Sequence, residues 1–510
     1  MTTILFGFSI AVLLILIVSI LLWSKVHFAW LTKLCNLLIL SLPFEYFPRL
    51  EIGGVSWRLS QILVIIGFWI ITLLILKKDE RLLFHKLHFA SFYPLIFLAL
   101  SAPSWFAAQD LQRFIIHMVG TIFVFGAFVL LANFATDIWK NLRRLTFVLF
   151  GCSIFGLYQF FGDLAGIPPA FTLLREHYTK IVFGVPRVQG TAVEPLYFAG
   201  MLLIAIFVLV FWICERVESK NKVLKKYCHL EPSQKSCVSI DNISTTFNSE
   251  LIPVSFAAHL FARDNFTAYI LNQFQFHNLI YLFLTLLTIF VVFLLTISKG
   301  TFAVLAILTL ALMPVLYFTF DFIKRFVNQY IVQSLLVGIL GLALFFSFVN
   351  PIALLGEVGA NFVDTLSGTS ASAVERNMFI NEAIVGIKQN PFFGIGIGQF
   401  GDFAGKNLGS INEDGKAIVN NVYLEIWLEQ GILAIYFFVF VLFQPIFVLL
   451  KKVATWTSPL HVNSQAKLAG LSLIFILVGY YIQWTLFSPI FIMPIFIMLG
   501  LAYNLISSQD

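Results

Sequence analysis

Apolar runs long enough to cross a bilayer, about 20 residues each, alternate with shorter polar segments along the chain. The runs are continuous, and the strict alternation of an outer-membrane strand is absent. The pattern therefore predicts about 12–13 transmembrane helices. The predicted spans lie near residues 3–23, 28–44, 59–76, 91–107, 114–135, 145–162, 195–214, 279–297, 301–318, 331–349, 430–449, 468–485 and 488–504.

Composition agrees with this pattern and excludes other classes. Of 510 residues, 59% are hydrophobic and 11% charged, against about 45–50% and about 25% in soluble domains. Low charge with 16% aromatic residues also excludes a disordered chain. We therefore expect an all-α fold, a polytopic membrane helical bundle with a helical external loop domain. The first apolar run has no basic residue ahead of it and is interpreted as a retained span.

The distribution of charge between alternate loops predicts the orientation. One set of loops carries 21 basic and 11 acidic residues, and the other carries 11 basic and 15 acidic residues. Positive charge is retained in the cytoplasm, so the first set is cytoplasmic. With 13 spans the N-terminus is then external and the C-terminus cytoplasmic.

Two long polar segments divide the chain into five predicted regions. These are an N-terminal membrane bundle, a basic cytoplasmic loop, central membrane helices, an external loop and C-terminal membrane helices. Their boundaries are 1–214, 215–276, 277–349, 350–429 and 430–510.

The external loop contains a predicted helix followed by a glycine-rich segment. In SASAVERNMFINEAIVGIKQNP, the residues Phe379, Ile380, Ala383, Ile384 and Ile387 form one apolar face. The next segment, FFGIGIGQFG, favours tight turns and close backbone approach. It is not a phosphate-binding GxGxxG loop, so its glycines are interpreted as structural.

Few charged residues lie in the external segments, so each can be weighed as a candidate. Three separated cations could converge on a diphosphate: Arg187, Lys299 and Arg376. Arg binds phosphate oxygens in a bidentate geometry and Lys acts as a point charge, so together they would stabilise a leaving diphosphate. The structural alternatives are a loop pair between Arg187 and Glu194, an interfacial lysine and a solvated helix charge.

A second polar group lies where the chain enters the span near 430–449. Helical spacing puts Asn421, Glu425 and Glu429 on one face, beside Asn420 and Tyr423. The structural alternative for Glu425 is a pair with a cation. External residues show no cluster with metal-ligand spacing, so neither a metal nor another cofactor is expected.

These segments resemble a known family. RNMFINEAIVGIKQNPFFGIGIGQFG, followed by NNVYLEIWLEQGIL, resembles the hallmark region of the O-antigen ligase/polymerase superfamily of bacterial inner-membrane proteins. RVQGTAVEPLYFAG resembles the family's R-x-x-G-x-x-x-P motif, which precedes a transmembrane span. ISKGTF resembles the family's S-R-G hairpin between two spans.

The resemblance implies a class-C-like, metal-independent glycosyltransferase of the hexosyltransferase type in the bacterial cytoplasmic (inner) membrane. Its donor would be an undecaprenyl-diphosphate-linked glycan and its acceptor a glycan or glycolipid. A chain-length regulator is a further expected partner, and nucleic acid is not. Ligases of the family attach the glycan to lipid A–core, whereas polymerases attach it to another lipid-linked repeat unit.

Two positions depart from the family pattern. By motif, the S-R-G arginine falls on Lys299, the loop-helix arginine on Arg376 and the histidine of the HN motif on Asn420. Lys299 keeps the positive charge of that arginine but cannot bind a phosphate in the bidentate geometry of a guanidinium. Asn420 cannot act as a base because an amide does not titrate near pH 7, which leaves Glu425 or Glu194 as the candidate base.

The departures favour a polymerase of O-antigen, capsule or exopolysaccharide repeat units. Ligase, lipid-linked oligosaccharide transporter and structural protein are the alternatives, and the nearly charge-free spans disfavour a transporter. The predicted catalytic residues are Arg376, Lys299, Asn420 and Glu425. The predicted substrate-binding residues are Arg187, Glu194, Asn421, Tyr423 and Glu429.

Overall fold

The structure is a computed structural model. It describes residues 27–45, 50–52, 55–79, 87–174, 186–192, 194–229, 265–321, 323–324, 371–408, 417–455, 461–485 and 492–508.

The described residues are almost entirely helical. In chain order the helices are α1 (Phe28–Leu40), α2 (Leu59–Leu76), α3 (Tyr93–Ser101), α4 (Leu111–Phe134), α5 (Ile138–Leu164), α6 (Pro169–Thr172), α7 (Pro195–His229), α8 (Asn265–Leu295), α9 (Lys299–Thr319), α10 (Ala371–Gln389), α11 (Phe400–Leu408), α12 (Val422–Gln430), α13 (Ile432–Thr455), α14 (His461–Trp484) and α15 (Ile492–Ser507). Three 3-10 helices cover Leu42–Phe44, Phe89–Phe92 and Ala102–Ala107. The strands β1 (Leu50–Ile52) and β2 (Val55–Trp57) form one short antiparallel hairpin.

Eight helical segments of the described chain are long and apolar enough to cross a membrane, and three further apolar helices are shorter. Each falls on a predicted span. The protein is therefore a polytopic helical membrane protein, as the hydrophobic pattern predicts. The predicted spans 3–23 and 331–349 lie outside the described residues.

The span predicted near 91–107 differs in detail from a regular helix. It consists of the short helix α3 between two 3-10 segments, together covering Phe89–Ala107. Pro94 and Pro103 stand at the first turns of α3 and of the last 3-10 segment. Because proline lacks an N–H and fixes φ, the two prolines separate this span into pieces.

Helix α7 is the centre of the membrane bundle. Its apolar part, Pro195–Ser219, is almost entirely buried, and it packs against α5, α8 and α14. The helix is apolar around its whole circumference, which is the pattern of a helix surrounded by others rather than by lipid. α15 packs on α4 in the same core.

A smaller apolar cluster lies outside this bundle. We call residues 371–408 and 417–431 the loop subdomain. Its core joins α10, α11 and α12 through the buried side chains Phe379, Ala383, Ile387, Phe400, Ala404 and Leu428. The predicted loop helix is therefore present, and the inner part of its predicted apolar face is buried. Ile384, at the edge of that face, is 37% exposed.

Candidate functional site

Asn421 is the residue immediately before helix α12 and connects this helix to the membrane bundle. Its side-chain Oδ1 accepts a hydrogen bond from the Leu424 N–H at 3.1 Å, which is the N-cap arrangement. Its Nδ2 donates to the Thr485 carbonyl at 3.2 Å, at the end of α14. Both polar ends of this amide thus bind the protein, linking the loop subdomain to the membrane bundle.

Glu429, two turns along α12, has a buried side chain that is 6% exposed. Its carboxylate accepts backbone N–H groups of the glycine-rich segment, including that of Phe400 at 3.2 Å. Burial raises the pKa of Glu429 to about 7, while these N–H donors and Arg113 act in the opposite direction. The carboxyl therefore occupies the N-terminus of α11, where a helix favours negative charge.

Glu425 lies one turn before Glu429 on the same face of α12. Its Oε2 is buried and has no hydrogen-bond partner among the described residues, while the Val419 backbone N–H donates to the carboxyl group. Burial, and then the neighbouring Glu429, raise the pKa of Glu425 well above its ordinary value. Two carboxyl groups in one buried site disfavour the doubly ionised state.

The glycine-rich segment packs directly on the backbone at the end of α12. The Ile395 N–H donates to the Leu428 carbonyl at 2.9 Å and the Gly396 N–H to the Glu429 carbonyl at 3.0 Å. Gly394 has φ +72°, and a Cβ there would lie 2.4 Å from the Glu429 carbonyl carbon. The segment therefore needs glycine for its turns and close contacts, as the sequence predicts.

The loop subdomain also binds the turn before α4, a contact absent from the sequence interpretation. The Gln399 Oε1 accepts the Gln109 and Asp110 N–H groups at 3.1 and 2.8 Å, and its Nε2 donates to the Asp110 carbonyl at 3.0 Å. Arg113 pairs with Asp402 at 2.8 Å. Gln399 in the glycine-rich segment and Arg113 beside a predicted span give little sequence signal, because their partners are about 290 residues away.

Arg187 lies against the hairpin between α8 and α9. Its Nε donates to the Thr296 carbonyl at 3.0 Å, and the next residue, Val188, donates its N–H to the Leu295 carbonyl at 3.1 Å. Burial lowers the pKa of Arg187, and the charge of Glu194 opposes this shift. The side chain of Lys299 lies outside the described residues, but its backbone begins α9 three residues after Thr296. The structure thus brings two of the three cation-bearing segments together.

Gln159, a buried residue of α5, holds the segment that carries Arg187. Its Oε1 accepts the Gly190 N–H at 2.7 Å, and its Nε2 donates to the carbonyls of Gly190 at 3.1 Å and Thr172 at 3.2 Å. The sequence analysis did not identify this residue. A glutamine within an apolar run of about 20 residues is the one signal that could have drawn attention to it.

Arg376 lies near the start of α10 in the loop subdomain and is partly buried. Burial lowers the pKa of its guanidinium, and the charge of Glu375 opposes this shift. Arginine stays protonated in proteins, so the group keeps its charge. Convergence of Arg376 with Arg187 and Lys299 stays a prediction.

Asn420 and Tyr423 flank the start of α12. Asn420 has a left-handed backbone with φ +58°, a conformation that asparagine tolerates better than most residues. The Tyr423 hydroxyl donates to the Tyr481 carbonyl at 3.2 Å, and burial raises its pKa. Within the part of the chain that the structure describes, no group of three or more His, Cys, Asp or Glu side chains could hold a metal. Metal independence stays a prediction.

A comparison with models of protein families gives a match. Residues 284–439 match a family model described as O-antigen ligase. The match includes the hairpin with Lys299 and all of the loop subdomain. A search of curated proteins finds no match.

Proposed function

We propose, from the match of residues 284–439 to a family model described as O-antigen ligase, that the protein polymerises lipid-linked polysaccharide repeat units. It acts as a glycosyltransferase at the external face of the bacterial inner membrane. The donor is a glycan on undecaprenyl diphosphate, and the acceptor is the sugar hydroxyl of another lipid-linked repeat unit.

In the proposed reaction, the acceptor hydroxyl attacks the anomeric carbon of the donor glycan. A new glycosidic C–O bond forms while the C–O bond to the diphosphate breaks, and the diphosphate leaves with the bonding electron pair. Arg187, Lys299 and Arg376 bind the diphosphate and stabilise its developing charge. These cations act before and during bond cleavage and require no metal.

The hydroxyl proton passes to Glu425. The observation that carries this role is the hydrogen bond from the Val419 N–H to the Glu425 carboxyl, because it brings Glu425 next to Asn420. In the family pattern that position is a histidine, which titrates near pH 7. Burial raises the pKa of Glu425, and a carboxylate with a raised pKa is a stronger base than an ordinary one.

The remaining predicted residues orient the acceptor or support the site. Asn420, Asn421 and Tyr423 lie at the start of α12 and form the acceptor side, and Glu194 acts with Arg187. Asn421 and Glu429 are already hydrogen-bonded within the protein. Glu429 therefore contributes by holding α12 and the glycine-rich segment in position, and Asn421 does so in addition to its place on the acceptor side.

Replacing Arg376 with Ala tests this proposal. The expected result is loss of long-chain polymer in cells that retain normal amounts of the protein, because one diphosphate contact is removed. Arg376→Lys serves as the matched control and should retain part of the activity through its charge. Normal chain length in Arg376→Ala would contradict the proposed role.

Gel analysis of the glycan distinguishes a polymerase from a ligase. Deleting a polymerase removes the ladder above one repeat unit, whereas deleting a ligase leaves free lipid-linked polymer. Purified protein that forms no product from a lipid-linked donor, but moves it across vesicles, would favour the transporter alternative.

A further inference from the structure

Two adjacent phenylalanines project from the loop subdomain. Phe392 and Phe393 follow α10 directly after Pro391 and are 67% and 61% exposed. Apolar side chains exposed side by side indicate an interaction surface more strongly than a single exposed one does. They belong to neither apolar cluster of the described residues.

Backbone contacts fix the position of this pair relative to the membrane. The Ile432 N–H donates to the Pro391 carbonyl at 3.0 Å, and Ile432 is the first residue of the candidate span Ile432–Thr455. A Cβ on Gly431 would lie 1.9 Å from the Phe392 carbonyl oxygen, so the two backbones touch. Phe392 and Phe393 therefore lie level with the beginning of a span, which is the boundary of the bilayer.

Neighbouring segments expose apolar side chains at the same boundary. In the first turns of α13, Leu433 is 58% and Tyr436 is 76% exposed. Trp105 and Phe106, at the end of the span Phe89–Ala107, are 52% and 95% exposed, and this end contacts α12. Aromatic residues concentrate where membrane spans meet the interface.

We propose that Phe392 and Phe393 anchor the loop subdomain in the bilayer, with lipid of the external leaflet as their partner. The surface is continuous with the lipid-facing side of α13, which argues for lipid and against a second protein. The anchor holds the C-terminal end of α10, the helix that carries Arg376, at the membrane surface. This inference deepens the proposed function and rests on its orientation of the chain.

Spin-label accessibility in phospholipid nanodiscs tests the anchor. A nitroxide is attached to Phe393→Cys and, separately, to Phe392→Cys, in protein with Cys228 and Cys237 replaced by Ser. Cys35, Cys152 and Cys214 are buried, and labelling of the parent protein measures their contribution. Leu433→Cys is the lipid-facing control, and Asn381→Cys on the exposed side of α10 is the water-facing control.

The expected result is that both phenylalanine positions resemble Leu433. Collisions with oxygen, which concentrates in lipid, should then exceed collisions with a water-soluble nickel chelate. The reverse order, as at Asn381, would overturn the proposal, because the side chains would be in water. Low accessibility to both reagents would also overturn it by revealing a protein partner.

The outcome is independent of catalysis. The accessibility measurement needs no substrate, so a water-like result removes the anchor and leaves the polymerase proposal standing. Conversely, normal polymer in Arg376→Ala would contradict the catalytic proposal without changing the measured depth of Phe393.

Discussion

Two regions of the molecule contain every predicted site residue except Glu194, and the buried acids of one contrast with the partly buried cation of the other. In the loop subdomain, Glu425 and Glu429 are held within α12 and shielded, and their pKa values are raised. At the hairpin region, formed by residues 186–192 and 295–300, Arg187 binds the carbonyl of Thr296 at the end of α8. Cations are favoured beside the carbonyls that end a helix.

The difference suggests that proton transfer and anion binding are carried out by different groups of residues. A carboxyl pair with raised pKa values can take up a proton near neutral pH. A cation such as Arg187, whose side chain is fixed by a hydrogen bond to a backbone carbonyl, is positioned to bind an anion such as a diphosphate. In the proposed reaction α12 of the loop subdomain therefore takes up the proton, while the hairpin region binds the diphosphate together with Arg376 of α10. Four substitutions test this comparison.

Gly431→Ala should have the largest effect and is confined to the loop subdomain. A Cβ would lie 1.9 Å from the Phe392 carbonyl oxygen, at a residue with φ +87°. We expect a destabilisation of about 3 kcal/mol or more, since both strain and backbone displacement are required. Thermal unfolding in detergent measures it. Gly151→Ala, where a Cβ would meet nothing within 4 Å, should be neutral, and equal stability of the two variants would contradict the described packing.

Glu425→Gln should separate proton transfer from folding. Glutamine keeps an oxygen for the Val419 N–H but cannot accept the hydroxyl proton. We expect transfer activity to fall by about 10²–10⁴-fold, the usual contribution of a general base. Thermal stability should be unchanged or higher, because glutamine cannot ionise and so avoids the cost of a buried charge. Undiminished transfer in vitro would assign the base to another group.

The pH dependence of the free energy of unfolding should reflect the titration of Glu429. Its folded-state pKa of about 7 exceeds the ordinary value of 4.5. The stabilisation from its bound proton is therefore complete below about pH 4.5 and is lost as the pH rises through about 7. We expect a loss of about 3 kcal/mol across this window, measured by thermal unfolding. Glu429→Gln should flatten the slope, leaving the part due to Glu425. An unchanged slope would show that Glu429 does not titrate there.

Gln159→Leu tests the hairpin region and should destabilise the protein less than Gly431→Ala does. It leaves the buried N–H and carbonyl of Gly190 without their partner, at a cost of about 1–3 kcal/mol. Polymer length in cells should fall as well, since Gly190 and Arg187 share one segment. Gln483→Leu is the matched control, because the buried amide of Gln483 has no partner among the described residues. If both leucine variants behave alike, Gln159 does not position Arg187.

Much of the fold could be predicted from the hydrophobic pattern. The spans near 59–76 and 301–318 coincide with α2 and α9 to within one or two residues, because lipid requires both a minimum length and satisfied backbone hydrogen bonds. The loop helix and its inner apolar face were also predictable from spacing. The break at Pro94 and Pro103 was visible in the sequence, but a hydropathy window averages over it.

The candidate site was predictable only as a set of residue types. Spacing alone put Glu425 and Glu429 on one face of a helix, and the family motif pointed to the same segment. The interactions of these residues were not predictable, because the partners of Glu429 lie in a glycine-rich turn about 30 residues away. Local periodicity carries no information about contacts across such distances.

The sequence by itself therefore determined that the protein crosses the membrane many times and which helices do so, since bilayer thickness acts on each segment separately. It also identified the family-like motif. Only the tertiary structure decided that Asn421 caps α12 and that Gln159 holds the Arg187 segment. It alone brought the glycine-rich segment onto Glu429 and placed Phe392 and Phe393 level with a span. These facts depend on which distant groups meet, because burial and hydrogen bonding are properties of pairs and not of single positions.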